Sequence, residues 1–263
     1  MIDIHAHILP GVDDGSSDWE ESLAILRRGV EDGIRGVVCT SHVLDRLDGE
    51  VERKFIEKFE ELKRRVEEEG LNVSLWLGSE IHCQAQFDLR SKVATLNGTG
   101  KYLLFELPLG EIPQNVEDKL FHFSLEGVTP ILAHPERNGV ILRKPKVAYE
   151  WVRRGALVQL NAGSVTGFFG KGAKRTAFKF LDHRMAHFVA SDCHSSRKRP
   201  MVLSRAYRVI VRHWGEEVAE QLFRVNPYRV VAGQEISPPS PLPLEERRSK
   251  VVGLFGLKIF GNC

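Results

Sequence analysis

The sequence predicts an α/β protein built as a parallel barrel, each strand followed by a helix. Three observations predict it. Short apolar runs alternate with amphipathic, charge-rich stretches almost to the end of the chain. The connections between them are short, and the apolar runs end, one after another, in His, Asp or Glu. A length of 263 residues suits one large domain with a single core, a common size for such barrels. Repeated strand-plus-helix steps favour a barrel over an open parallel sheet, while periodicity alone leaves the closure open.

The first strand is expected over 2–5, where Ile2 and Ile4 alternate with polar positions. Further strands are expected over 36–40, 73–77, 102–106, 129–133, 157–160 and 187–190. Helical patterns fill the intervals at 19–31, 50–69, 115–125, 146–153 and 173–182. Asp18 stands as N-cap of the first, with Glu21 at capping-box distance. Gly33, Gly70, Gly127 and Gly155 each follow a helical run, where a left-handed C-terminal cap is wanted. Residues 202–213 read as one more helix and 216–223 as a short one. The segment 163–170, with Phe168 and Phe169 among small residues, reads as a loop, either covering a substrate or simply anchored by its two rings.

The character changes near the end. Ser237-Pro238-Pro239-Ser240-Pro241-Leu242-Pro243 cannot hold a helix, so the chain divides into a domain over 1–236 and a proline-rich linker and C-terminal tail over 237–263. The stretch 251–260 is apolar beside Arg247, Arg248 and Lys250. It reads as a tail that packs back or stays disordered, or as a docking or membrane-surface segment.

A formal net charge of +2 and the lack of interleaved basic and aromatic stripes speak against nucleic acid as partner. No run approaches the length and apolarity of a transmembrane segment. The amino terminus opens on a strand with no signal-like segment before it. Cys39, Cys83, Cys193 and Cys263 lie far apart without a C-x-x-C pair, which argues against a structural zinc knot and for free thiols in a reducing compartment. The expected location is the cytoplasm.

The strand ends carry the chemistry. The first gives His5 and His7, and the loop after it Asp13 and Asp14; the second ends in Thr40-Ser41-His42, the third in Gly78-Ser79-Glu80 and the fourth in Glu106. The fifth ends in His134-Pro135-Glu136-Arg137 and the seventh in Ser191-Asp192-Cys193-His194. In a parallel barrel all of these converge on one mouth. Buried charge at a strand end is costly unless paired or bound to metal. Imidazole suits borderline divalent ions, and carboxylates bridge ions and neutralise their charge. Five histidines and three or four acids exceed what one ion needs, so two or three divalent ions are expected. Such a mixed N/O site suits phosphate hydrolysis, where metals clamp phosphoryl oxygens and lower the pKa of bound water.

The motifs H-x-H, P-G-V-D-D-G-S with Glu21-Ser22 following, T-x-H, G-x-E, H-P-E-R and S-D-x-H, in this order, resemble the PHP (polymerase and histidinol phosphatase) superfamily. More closely, the chain is similar to the superfamily's bacterial protein-tyrosine phosphatases of capsule and exopolysaccharide clusters, over about residues 1–235. The resemblance implies a distorted (β/α)7 TIM-like barrel of the PHP type. It implies one metal position made by His5, His7, Glu80 and Asp192, a second by bridging Glu80 with Glu106 and His134, and a third by Asp14, His42 and His194. Arg137 and Arg199 match arginines near the phosphate, where a planar guanidinium binds two oxygens at once. The implied reaction is attack of a metal-bound hydroxide on a phosphotyrosine protein, a bacterial polysaccharide-export tyrosine autokinase acting through its tail. Manganese is the implied metal, with iron and zinc as alternatives. An oligomer is compatible with this reading, and no general acid is identified.

The chain departs from the family pattern at Ser41, at Asn138 in place of an aromatic, and at Cys193 and Ser195. None removes an expected ligand, and Asn138 bears on how a phosphotyrosine ring is gripped. Cys193 reads as an inert small residue. His82, His122, His183, His187 and His213 lie outside the motifs and read as surface or core histidines, with His82 the nearest to an exception. Competing functions are another PHP phosphoesterase (a histidinol- or sugar-phosphate phosphatase, or a nuclease) and a non-catalytic metal-binding scaffold.

Overall fold

Ile2 and Ile4 open strand β1 (Ile2–Ala6), the first of seven parallel tracks. A computed structural model describes residues 1–244; the stretch 251–260, Cys263 and the greater part of the expected tail lie outside the described residues. Helix α1 (Trp19–Glu31) leads to β2 (Gly36–Cys39), β3 (His42–Val43) and β4 (Arg46–Leu47), then α2 (Gly49–Glu68). Next come β5 (Ser74–Leu77), β6 (Glu80–His82), β7 (Gln86–Phe87) and β8 (Tyr102–Glu106). Helix α3 (Val116–Leu125), β9 (Thr129–Ala133), α4 (Gly139–Arg143), α5 (Lys146–Arg153) and β10 (Leu157–Asn161) follow. The remainder is α6 (Ala162–Thr166), α7 (Gly170–Asp182), β11 (Phe188–Ala190), α8 (Ser204–Trp214), α9 (Glu216–Glu220) and α10 (Asn226–Val231).

The strands run in the order β1-β2-β5 in one sheet and β11-β10-β9-β8-β6-β3 in another. These sheets are continuous. β3 prolongs β2 and β6 prolongs β5, and the ladder between them passes through Gly78 N–H to Cys39 O (3.0 Å) and Glu80 N–H to Ser41 O (3.1 Å). The ring closes where β1 meets the end of β11, by a parallel bridge between Ala6 and Cys193. There Asp192 N–H donates to His5 O at 2.9 Å and His7 N–H to Cys193 O at 3.0 Å. The fold is a distorted α/β barrel with seven strand tracks, all its strand pairs parallel.

The interior holds Ile4, Val38, Leu104, Ile131, Ala133, Phe188 and Ala190, with Leu96, Val230 and Val231 packed into the same cluster. The alternate residues Val37, Leu103, Phe105, Leu132, Val189 and Leu160 belong to the outer layer under the helices. Following the inward parity to the carboxyl ends leads from Leu104 to Glu106, from Ala190 to Asp192, and from Leu157 through Gln159 to Asn161. It also leads from Val38 to His42 and from Trp76 to Glu80. β1 is the exception. Asp3 pairs with Val37 but Ala6 with Cys39, so β1 carries one extra residue, a bulge. Ile4 lies in the interior and Ala6 in the outer layer, and the bulge swings His5 and His7 to the inside. Without that residue both imidazoles would point at the helices.

The helix boundaries follow the expected caps. Asp18 accepts from Glu21 N–H at 2.9 Å as N-cap. Gly33, Gly70, Gly127 and Gly155 all adopt positive φ just past a helix. The Glu21 side chain does not close a capping box; it accepts from Ser196 N–H (2.7 Å) and Oγ (2.9 Å), tying α1 to the loop after His194. Two expectations are corrected. The first half of the segment 163–170 lies in α6, capped by Asn161 accepting from Gly163 N–H at 2.9 Å, and Gly170 opens α7. The helix expected over 216–223 continues through a π-turn at Gln221–Val225 into α10, because Asn226, Pro227, Val230 and Val231 are buried there.

Candidate metal centre

Glu80 sits at the middle of the barrel mouth, fully buried. Its Oε2 lies 3.1 Å from His5 Nε2, 3.2 Å from His7 Nε2 and 3.0 Å from His42 Nδ1. Its Oε1 lies 3.1 Å from His134 Nε2. Burial alone would raise the Glu80 pKa, but His5, His134 and His42 around it hold it well below the usual carboxylate range. Glu106 is nearby, 3.6 Å from His42 Nδ1 and 3.7 Å from His134 Nε2; burial and the Glu80 charge push its pKa up.

The outward nitrogens of these rings are already engaged. His5 Nδ1 donates to Gln159 Oε1 at 2.8 Å, an acceptor fixed because Gln159 Nε2 donates to Leu160 O. His7 Nδ1 donates to Asp13 Oδ2 at 2.9 Å. His194 Nδ1 donates to Asp192 O at 3.1 Å. With those roles filled, neutral His5 and His7 turn bare Nε2 lone pairs to each other at 3.0 Å, both facing Glu80. Against burial, Glu80 raises the pKa of both rings, joined by Asp13 at His7, so a positive charge, proton or metal, is called for between them. Glu80 Oε2 and His42 Nδ1 are buried and make no well-formed hydrogen bond, although 3.0 Å apart. Imidazole nitrogens and carboxylate oxygens that converge on one point and need a positive charge between them fit a bound cation.

Four overlapping groups have ligand atoms close enough to share an ion: His5, His7 and Glu80; His5, His134 and Asp192; His42, Glu80 and Glu106; and His7, Asp14, His42 and His194. All nine expected ligands therefore meet at one mouth. Three details differ from the expected grouping. His134 and Asp192 form a group with His5, where His134 was expected with Glu80 and Glu106 and Asp192 with His5, His7 and Glu80. His7 also joins Asp14, His42 and His194, its ring 4.0 Å from that of His194. His42 also approaches Glu80 and Glu106. Asp14 stands apart from the others in exposure, its side chain 69% accessible on the rim. His82 belongs to none of these groups among the described residues.

Asp192 divides its two oxygens. Oδ2 accepts from Asn161 Nδ2 (2.7 Å) and Arg137 Nη1 (2.9 Å) and is ion-paired with Arg199 Nη2 at 2.6 Å, which donates to Asp192 O at 2.9 Å. Oδ1 faces His194 (3.5 Å), His7 (3.6 Å) and His5 (3.7 Å). Despite burial, His5, His134 and Arg199 bring its pKa down to about 2. Both guanidinium groups also lie against the Phe169 ring, Arg137 at 4.1 Å and Arg199 at 5.8 Å from its centre. Arg199 Nε is buried without a partner, a donor still available beside the mouth.

Backbone geometry is special at the same places. His134 (φ 33) and Asp192 (φ 53) hold left-handed conformations that few non-glycine residues adopt. Gly15 packs so closely on the His7 backbone that a Cβ there would collide with it. That approach folds the loop over His7 and brings Asp13 to its ring, where Asp13 Oδ2 also accepts from His42 N–H at 2.9 Å. Asn138 is buried, accepting from Val140 and Ile141 N–H and donating to Pro108 O and Glu111 O. It caps α4, its side chain engaged by four backbone groups. Cys193 is buried, and burial and the Asp3 charge push its thiol pKa well up, as befits an inert residue.

Two residues that hold the site escape the sequence reading, Gln159 and Asn161; Asp13 is read there beside Asp14 but given no role of its own. Gln159 and Asn161 close the one strand that ends in amides rather than ligands, and nothing in their type marks them out.

Comparison with known proteins converges on one group. A family model described as "Capsular polysaccharide synthesis, CpsB/CapC" matches residues 1–232. The chain is 32% identical over 258 residues to the tyrosine-protein phosphatase YwqE of Bacillus subtilis, covering 97% of this chain and all of that one. It is 33% identical over 244 residues to the tyrosine-protein phosphatase CpsB of Streptococcus pneumoniae, covering 90% of this chain and all of that one. A crystal structure from work on those two enzymes, described as unique metal-dependent tyrosine phosphatases, superposes with a TM-score of 0.85 at 31% identity, covering 94% of this chain and all of that one. A lactonase from Listeria monocytogenes, at 12% identity and TM-score 0.53, covering 89% of this chain and 95% of its own, shares the fold alone.

Proposed function

The chain belongs to the CpsB/CapC family, and we propose that it is a metal-dependent tyrosine-protein phosphatase. One observation carries the reading: bare imidazole and carboxylate lone pairs converge on Glu80 beside two arginines held by Asp192. The first ion position is assigned to His5, His7, Glu80 and Asp192, the second to Glu80, Glu106 and His134, and the third to Asp14, His42 and His194. The groupings found at the mouth support these positions, with His7 and His42 close enough to be shared.

Divalent ions held there would neutralise phosphoryl oxygens and lower the pKa of water toward neutrality. The protein's own groups do the rest. Arg137 and Arg199 place fixed positive charge beside the mouth and donate to phosphoryl oxygens through the N–H groups that Asp192 does not take. Asp13 and Gln159 hold His7 and His5 in the tautomer that leaves Nε2 bare. Asp14, on the open rim, is placed to meet the entering substrate side. The phenolate leaving group, with a pKa near 10, needs less help from an acid than an alkoxide would.

The same proposal takes two or three ions per chain, manganese first and iron or zinc as alternatives, since mixed N/O ligands suit all three. It takes as partner a phosphotyrosine-bearing bacterial tyrosine kinase of polysaccharide export, met in the cytoplasm. No helix among the described residues is long and apolar enough to cross a membrane. The proposed domain is 1–236, followed by the linker and tail. A panel of phosphotyrosine, phosphoserine, histidinol phosphate and sugar phosphate substrates tests the function. The highest kcat/KM should fall on phosphotyrosine peptides; a clear preference for any other member overturns it.

A further inference from the structure

Beside the metal centre a separate cavity of about 170 Å³ opens, lined in part by Arg199 and Asn161, the two residues that also contact Asp192. Its wall is apolar, formed by Phe168, Phe169, Ala162, Pro200 and Val202, and its rim carries Arg28, Lys198 and Arg205. Among the described residues no acidic one lines it. Arg28 has a loose exposed partner in Glu31 at 3.4 Å, whereas the side chains of Lys198 and Arg205 form no ion pair among the described residues. Phe168 is 66% exposed at this edge, an apolar surface next to unbalanced positive charge. A second cavity, beside His42, is different in character: four acids, Asp13, Asp14, Asp45 and Glu106, outnumber Arg46 and Lys54 in its lining. The entrance is therefore polarised, cationic beyond Arg199 and acidic beyond His42.

We propose that this cavity is a specificity subsite that binds an anionic side chain of the substrate peptide near its phosphotyrosine, the Phe168 and Phe169 rings packing on that side chain's apolar stem. The inference rests on the phosphatase reading and extends it from the reacting phosphate to the flanking residues. Charge complementarity sets the choice: a peptide lying across Arg199 toward Arg205 meets only positive charge, and an acidic residue there is attracted while a basic one is repelled. A carboxylate and a second phosphoryl group share this chemistry.

The experiment measures kcat/KM of the manganese-loaded full-length protein on four peptides that differ only beside the phosphotyrosine: Ser-flanked, Glu-flanked, Lys-flanked and bearing a second phosphotyrosine. The Glu-flanked peptide should exceed the Ser-flanked one by roughly 2- to 5-fold, and the Lys-flanked one should fall below it, as exposed charge pairs allow. If a phosphoryl group is the better occupant, the doubly phosphorylated peptide leads the series. Arg205→Glu combined with Lys198→Glu should reverse the order toward the Lys-flanked peptide while leaving p-nitrophenyl phosphate turnover unchanged. Equal kcat/KM on all four peptides, or an order that the charge reversal does not move, overturns the subsite alone. No turnover of any of the four removes the phosphatase reading and the subsite with it.

Discussion

Arg137 donates from Nη1 to Asp192 Oδ2 at 2.9 Å, while the other Asp192 oxygen faces the histidine cluster. One carboxylate thus fixes the distance between the anion-binding arm and the metal centre. Arg137→Lys keeps the charge but loses the planar fork and the stacking on Phe169. Its kcat/KM on a phosphotyrosine peptide should fall by roughly 10- to 100-fold, the value of one charge-assisted hydrogen bond. Wild-type kcat/KM in this variant would deny the arm its role.

Asp13 binds no substrate in this account; it orients His7. Burial works against its charge, yet the hydrogen bond and charge of His7 hold its carboxyl well below the usual range. Asp13→Asn should weaken metal affinity by roughly 10- to 100-fold, as loss of an orienting partner does elsewhere. Calorimetric manganese titration of the chelated protein measures it. Since Asn still reaches the ring, a larger loss in Asp13→Ala than in Asp13→Asn is also expected.

Metal should stabilise the fold as well as serve it. Ions that bind only the folded chain add about 2.7 kcal/mol when present at a hundred times Kd. For a domain of this size that raises Tm by roughly 5 to 10 °C. Thermal scans of chelated protein with and without manganese measure the shift. Glu80→Gln, which removes the central shared charge, should abolish most of it.

His187 sets a pH dependence away from the metal centre. Its Nδ1 accepts from Val158 N–H at 2.9 Å, its Nε2 is buried without a partner, and burial lowers its pKa to about 4. Below about 6.5 the unfolded chain takes up a proton that the fold refuses until about 4. The contribution of this group is therefore constant above 6.5 and turns destabilising as pH falls from 6.5 to 4, by up to roughly 3 kcal/mol. Urea unfolding of wild type and His187→Asn, which keeps an acceptor for Val158, should show the variant losing less stability across that window. Parallel curves would contradict it.

The candidate ligands are legible in the sequence because a His or Glu ending an apolar run has few structural reasons to be there. Glu106 and Asp192 follow directly from the inward parity of Leu104 and Ala190. The supporting residues were not legible, since Gln159 and Asn161 differ in no visible way from surface amides until the strand is known to end inside the mouth. The bulge in β1 was hidden for a related reason: it depends on pairing with β2, not on local pattern. Strands of two or three residues such as β3, β4, β6 and β7 carry too little periodicity to be read. α6 consists of Ala, Gly, Ser, Val and Thr, poor helix formers apart from Ala, and is held by its Asn161 cap and burial of Val165.

The central claim is that the His5, His7, Glu80 and Asp192 cluster holds metal on which phosphotyrosine hydrolysis depends. Phosphate release from a phosphotyrosine peptide tests it most directly, followed in chelated protein, in the same protein with manganese restored, and in His7→Ala and Asp192→Ala with manganese present. The account predicts activity lost on chelation, regained with metal, and reduced by several orders of magnitude in both variants. Full turnover in the chelated protein, or in either variant, would contradict it.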